Sequence, residues 1–157
     1  MLRDKSLIPL SHQHQHALAL CVQIDRALKS GKPELDHWQS EVERLFRDEI
    51  RYHFESEEMV LFPTAERAGS LGPLVDELRV EHGLLRKYAD AAAKRALTMA
   101  ELQSFVESLS AHIRKEERQL FEELQKLLSA DDLARLGSAL DAYFRHSGMP
   151  GASCAIR

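Results

Sequence analysis

The stretch HFESEEMVLF, residues 53–62, recurs as HIRKEERQLF at residues 112–121, with the same residue at five of the ten positions. Both copies fit the pattern HxxxEExxLF, in which a histidine and a glutamate stand four residues apart. In an α-helix this spacing places both side chains on the same face. The repeat therefore predicts two related helices, each presenting a His–Glu pair on one side.

The capping residues, glycines and prolines around these repeats predict four long helices and a shorter fifth. The expected helices cover residues 11–30, 34–62, 73–96, 98–128 and 131–146. Ser11 is the expected N-cap of the first helix and Gly31 its C-cap, and Pro63 is expected to end or kink the second. Thr98 and Glu101 have the spacing of a capping box at the start of the fourth. Because the loops are short and no strand pattern competes, we expect an all-α, up-down-up-down antiparallel four-helix bundle with a short extra C-terminal helix.

Length and composition favour one globular domain, which we expect over residues 1–147, with a flexible tail over residues 148–157. Of the 157 residues, 44% are apolar and 29% charged, and the net charge of −4 argues against a nucleic-acid partner. No apolar run approaches the ~18 residues that span a membrane, and no signal peptide is evident. We therefore expect a cytoplasmic protein with no membrane partner.

Polar side chains interrupt the apolar stripe of every long helix. Each stripe contains one histidine, namely His14, His53, His82 and His112. The second and fourth helices add Glu57 and Glu116, four residues after their histidines. One inward histidine is ordinary, but a buried ionised carboxylate without a partner is costly, and two are worse. The combined pattern therefore indicates a multivalent cation in the core.

The chemistry of this ligand set limits the choice of metal. Imidazole and carboxylate without thiolate suit iron, manganese or zinc, whereas structural zinc sites are usually rich in cysteine. Two carboxylates can each bridge two ions while four histidines bind terminally. This supplies about eight of the ten to twelve positions that two iron ions need. The remaining positions stay open to solvent or to a small exogenous ligand.

Four segments resemble the hemerythrin/HHE cation-binding family: PLSHQHQHAL at 9–18, HFESEEMVLFP at 53–63, EHGLL at 81–85 and HIRKEERQLF at 112–121. The resemblance covers about residues 8–128. It implies a four-helix bundle around two iron ions with an oxo or hydroxo bridge, and makes manganese or zinc a less favoured occupant. Carried over by position, the implied metal ligands are His14, His53, Glu57, His82, His112 and Glu116. Implied roles include reversible O₂ binding and the sensing of iron or oxygen.

Two departures separate this chain from the oxygen carriers that it resembles. Those proteins have a second histidine four residues from the lone histidine of the third helix, where this chain has Leu78 and Arg86. They also place a bridging aspartate five residues after the histidine of the fourth helix, where this chain has Glu117. One histidine fewer leaves one more open position. We therefore expect a protein that handles or senses O₂, peroxide, NO or iron, and the alternative is a metal-dependent sensor or storage module without catalysis.

Several alternatives remain open from the sequence. His12 and His16 form an HxxxH pair that could replace His14 if the first helix were rotated. Ferritin-like iron oxidation needs Glu-x-x-His on two helices, and only Glu34–His37 has that spacing. A metal-free interaction bundle would leave the core carboxylates unexplained.

The glutamates next to the expected ligands have two interpretations. Glu58, Glu81 and Glu117 are either solvent-facing partners of nearby Arg and Lys residues or hydrogen-bond partners of the ligands. The sequence does not identify a protein partner or an oligomeric state.

Overall fold

The computed structural model describes residues 1–151, and within that range the chain forms helices and loops without a strand. Five helices are present: α1 (Ile8–Lys29), α2 (residues 35–68), α3 (Gly72–Ala93), α4 (residues 99–127) and α5 (Ala130–His146). None of these described helices is both long enough and apolar enough to cross a lipid bilayer. The tail expected over residues 148–157 falls largely outside the described residues, which end at Gly151.

The first four helices pack as a closed ring of neighbours. α1 contacts α2 and α4, and α3 contacts the same two helices from the other side. Two apolar clusters fill the interior, the first containing Phe54 and Phe105 and the second containing Phe62 and Phe121. The six histidines and glutamates predicted as ligands lie along each helix between residues of the first cluster and residues of the second. Apolar layers therefore enclose a polar layer from both ends.

Three short π-helical segments interrupt α2 and α4, at Phe46–Ile50, Glu57–Leu61 and Glu116–Leu120. Two of them begin at the glutamates of the repeated motif. Steps of four residues drift around an ideal α-helix by about 40° each, and the wider π turn offsets this drift. Leu61 and Leu120 therefore stay buried although they follow their glutamates by four residues.

The start of α1 differs from the prediction. The helix begins at Ile8, with Pro9 in its first turn, and Ser11 lies inside it instead of capping it. Proline is favoured in the first turn because its missing N–H has no helical partner there. The hydroxyl of Ser11 donates instead to Glu117 Oε1 at 2.7 Å. The predicted end is confirmed, since Lys29 is the last helical residue and Gly31 has a φ of 80°.

Two further helix ends were predicted wrongly. α2 continues past Pro63 to Ala68, so Phe62 does not end it. Pro63 lies two residues after the π-helical segment that ends at Leu61, and the wider turn of that segment tolerates a missing N–H and a bulky ring. α3 ends at Ala93, three residues before its predicted end at Ala96, which is exposed. There the backbone turns at Arg95, with a φ of 54°, before the confirmed capping box of α4.

The fifth helix covers the end of the bundle that holds the second apolar cluster. Leu136, Leu140 and Phe144 belong to that cluster. Gly137 permits a close approach, because a Cβ atom there would lie 2.8 Å from Ser6 Cβ. The N-terminal segment and α5 together therefore close this side of the polar layer.

Candidate metal centre

The structure brings all six predicted ligands into one buried cluster between α1, α2, α3 and α4. Each of the six is at most 2% exposed. Their ligand atoms form two groups, each spanning no more than 4.8 Å. One group contains His14 and His53, the other contains His82 and His112, and both share Glu57 and Glu116. Each of the two groups could therefore hold a metal ion, and the two carboxylates are common to both groups.

The atoms of this cluster point at a common space instead of at one another. Nine buried side-chain N or O atoms of the described residues lack a hydrogen-bond partner, and eight belong to these six side chains. The imidazole nitrogens nevertheless lie close to carboxylate oxygens: His14 Nε2 is 3.0 Å from Glu116 Oε2, and His53 Nε2 is 3.0 Å from Glu57 Oε1. Buried polar atoms that lie this close without hydrogen-bond geometry fit a cation between them.

The other ring nitrogen of each histidine is engaged by an outer acceptor. The Nδ1 pairs are His14 with Glu117 Oε1 at 2.7 Å, His53 with Gln13 Oε1 at 2.6 Å, His82 with Glu58 Oε1 at 2.8 Å and His112 with Glu81 Oε2 at 2.7 Å. Each acceptor takes a hydrogen bond from Nδ1–H, which fixes the tautomer and leaves Nε2 free toward the cluster. Metal-binding histidines usually show this pattern.

These four bonds run from helix to helix and close a ring around the bundle. α1 supplies Gln13 to the histidine of α2, and α2 supplies Glu58 to the histidine of α3. α3 supplies Glu81 to α4, and α4 returns Glu117 to α1. Every pair of neighbouring helices in this ring is thus joined by one hydrogen bond to a clustered histidine, so the positions of these histidines depend on the packing of all four helices.

The three outer glutamates also form ion pairs with cations nearer the surface. Glu58 accepts from Arg86 at 2.7 Å and Glu117 from Arg3 at 2.7 Å, while Glu81 is paired with Lys115. The two interpretations left open by the sequence therefore both apply, because these side chains bridge a histidine and a cation. Sequence reasoning missed Gln13. The available signal was the match between the dipeptides QH at 13–14 and EH at 81–82.

The phenylalanine that ends each repeat packs against a clustered histidine of a neighbouring helix in the bundle. Phe62 lies with its ring centroid 5.3 Å from that of His82, and Phe121 lies 5.6 Å from His14 in a stacked arrangement. Phe54 also stacks on His82, with the two ring centroids 3.8 Å apart. The ends of the HxxxEExxLF motif therefore hold the lone histidines of α1 and α3 in place.

The pKa values of the clustered histidines and glutamates are shifted so that their charges offset each other. Burial lowers the pKa of an imidazole, but hydrogen bonds and charge from the neighbouring glutamates outweigh it. The pKa rises to about 9 for His14 and His112 and to about 10 for His82. Burial also disfavours ionised Glu57 and Glu116, yet the surrounding imidazoles hold the pKa of both below the ordinary value. Protons on the histidines therefore neutralise the two carboxylates when no metal does so.

The alternative ligands on α1 face away from the cluster. His12 and His16 are both exposed, and His16 Nδ1 lies 2.9 Å from Glu49 Oε1. His14, between them, is only 2% exposed. The two positions four residues from His82 provide no further ligand, because Leu78 is fully buried among apolar residues and Arg86 is engaged with Glu58.

Comparison with known proteins identifies one family. The family model described as "Hemerythrin HHE cation binding domain" matches residues 9–124, which include all six clustered side chains. No curated protein and no solved structure gives a significant match to the chain.

Proposed function

This chain belongs to the hemerythrin HHE cation-binding domain family, and we propose that it holds two iron ions at which O₂, peroxide or NO reacts or is sensed. The main support for this proposal is the set of eight buried N and O atoms of the six clustered side chains that have no hydrogen-bond partner. They divide into two sets, each with two imidazole nitrogens and an oxygen from both shared carboxylates. The helix contacts fit an up-down-up-down bundle around this pair.

The donor set fits iron. Four neutral imidazoles and two carboxylates without thiolate suit iron, manganese or zinc, and the carboxylates offset part of the charge of two cations. Each proposed position receives about four protein ligands, which leaves about two further places on a six-coordinate ion. A bound iron pair supplies redox chemistry with small oxygen or nitrogen ligands.

The residues of the chain orient this centre and exclude water from it. The four Nδ1 bonds fix the imidazole rings, and Phe54, Phe62 and Phe121 pack against them. The ligands are nearly inaccessible to solvent, so a reacting molecule has to be small. Arg86 and Leu78 occupy the two places four residues from His82, so α3 provides a single metal ligand.

The enclosure of the site supports a second candidate, a metal-dependent sensor without catalysis. The six clustered side chains come from four helices and are brought together only in the folded chain, so the free energy of metal binding contributes directly to folding. A change in metal content or oxidation state would then alter the stability of the whole bundle. Unchanged helicity and melting temperature after metal removal would exclude this candidate.

Metal analysis combined with optical spectra tests the proposal. Protein purified anaerobically should contain two iron ions per chain, and exposure to air should produce the absorption bands of a bridged ferric pair. The variant His14→Ala should lose at least one ion, whereas the matched control His12→Ala should keep both, since His12 is exposed. Stoichiometric zinc alone would rule out iron, and iron that responds to none of O₂, peroxide or NO would rule out the reactive role.

A further inference from the structure

One member of the hydrogen-bond ring differs from the other three. His14, His82 and His112 each donate to a carboxylate, and each of those carboxylates is paired with Arg3, Arg86 or Lys115. His53 instead donates to the amide oxygen of Gln13. Gln13 precedes His14 as Glu81 precedes His82, so the two residues hold equivalent places in the two halves of the site. The approximate two-fold symmetry that relates these halves is therefore broken at Gln13.

The surroundings of Gln13 explain why an amide fits there. Its side chain is 8% exposed, and its Nε2 donates to Met149 Sδ at 3.8 Å, which leaves Oε1 for His53. Gln13 also lines a small cavity of about 180 Å³ between α1 and α5. Arg145 borders this cavity but is paired with Asp141. Among residues 1–151, a carboxylate at this position would therefore have no free cation beside it, unlike the three outer glutamates.

We propose that Gln13 makes the two metal positions unequal, so that the position between His82 and His112 fills first and the position between His14 and His53 fills second. A carboxylate that accepts from Nδ1–H makes an imidazole a stronger metal donor than a neutral amide does. The first position has two such carboxylates and the second has one. Gln13 is thus a positioning residue that acts on metal through His53, and the inference rests on the proposed pair of ions.

Exchange of the two matched acceptors isolates this effect. Four proteins are compared: the wild type, Gln13→Glu, Glu81→Gln and the double exchange Gln13→Glu/Glu81→Gln. Metal-free protein is titrated with cobalt(II) without air, and the two stepwise dissociation constants are obtained from the absorption bands. Each single variant gives both positions the same number of carboxylate acceptors, whereas the double exchange restores the inequality in the opposite sense.

The ratio of the two dissociation constants is the decisive measurement. Loss of one outer partner of a metal-bound histidine typically changes affinity 10- to 100-fold, so both single variants should reduce the ratio by roughly tenfold. The double exchange should return it to about the wild-type value. A ratio that is the same in all four proteins overturns the inference while two ions per chain still support the proposed function. Fewer than two ions bound to the wild type overturns both.

A measurement on the wild type does not depend on whether the variants fold. One equivalent of zinc(II) is added to metal-free protein that carries ¹⁵N-labelled histidine. The Nε2 signals of His82 and His112 should move to the metal-bound position while those of His14 and His53 remain unbound. Equal occupation of all four histidines at one equivalent would contradict the proposed order.

Discussion

Binding of two divalent ions to the metal-free protein at pH 7 should release about three protons, one each from His14, His82 and His112. The pKa of these imidazoles is raised to about 9, 10 and 9 respectively, because the neighbouring glutamates outweigh the effect of burial. All three are therefore protonated at neutral pH without metal. A metal ligand must be neutral imidazole, so each has to lose its Nε2 proton, while Nδ1–H keeps its outer acceptor.

The pH dependence of affinity and of stability follows from the same three groups. The cumulative binding constant for two ions should rise about a thousandfold between pH 7 and pH 8, since three protons are displaced, and should level off above about pH 10. The stability of the metal-free protein should change in the opposite direction. A pKa raised from 6.5 adds stability that is complete below pH 6.5 and is lost as pH rises through 9 to 10.

Calorimetry of zinc(II) binding in two buffers with different ionisation enthalpies measures the proton count directly. The experiment is run at pH 7, 8 and 9.5, and the number of released protons should fall as pH rises. His16→Ala is the matched control, because His16 is exposed and lies outside the cluster, so its loss should not change the count. Release of less than one proton at pH 7, or release that increases with pH as expected for ionisation of bound water, would falsify this account of charge balance.

Two glycines and one cap provide tests of the packing that holds the site, each read from urea unfolding of the metal-loaded protein. Gly137→Ala should destabilise by about 1–3 kcal/mol because its Cβ would lie 2.8 Å from Ser6 Cβ. Gly83→Ala should be neutral or stabilising by up to ~1 kcal/mol, because no described atom outside its chain neighbours and its own helix backbone lies within 4 Å of the added Cβ. Equal effects would contradict the close approach of α5. Thr98→Ala should cost about 1 kcal/mol by removing the capping box of α4, and no loss would show that this cap is dispensable.

The all-helical fold and the convergence of the six candidate ligands could be predicted because both depend on periodicity. Apolar residues at steps of three and four mark one face of a helix, and a histidine or glutamate within that series has to face inward. His14 illustrates the strength of this argument, since His12 and His16 are only two residues away and are both exposed. The repeated HxxxEE segments then place the two glutamates at one level of the bundle.

Helix ends and local widening could not be predicted in the same way, because they depend on tertiary contacts. Ser11 is a good N-cap in isolation, but in the fold its hydroxyl contacts Glu117 on α4 and the helix starts earlier. Pro63 ordinarily breaks a helix, but it follows the π turn that begins at Glu57. In the first case a contact between helices decides the outcome, and in the second a local widening of the helix does, which the periodicity of the sequence does not reveal.

The outer hydrogen-bond acceptors could be predicted only in part. A simple geometric rule gives their positions, but it can be applied only once the order of the helices around the bundle is known. A residue next to an inward ligand points about 100° away around the helix, toward the seam with a neighbouring helix. The residue before each lone histidine and the residue after each clustered glutamate therefore reach a clustered histidine on an adjacent helix, as Glu58 and Glu117 do. The same rule gives Gln13 and Glu81 equivalent places. Their difference in charge is thus a difference between the two halves of the metal site, and it was already present in the dipeptides QH and EH.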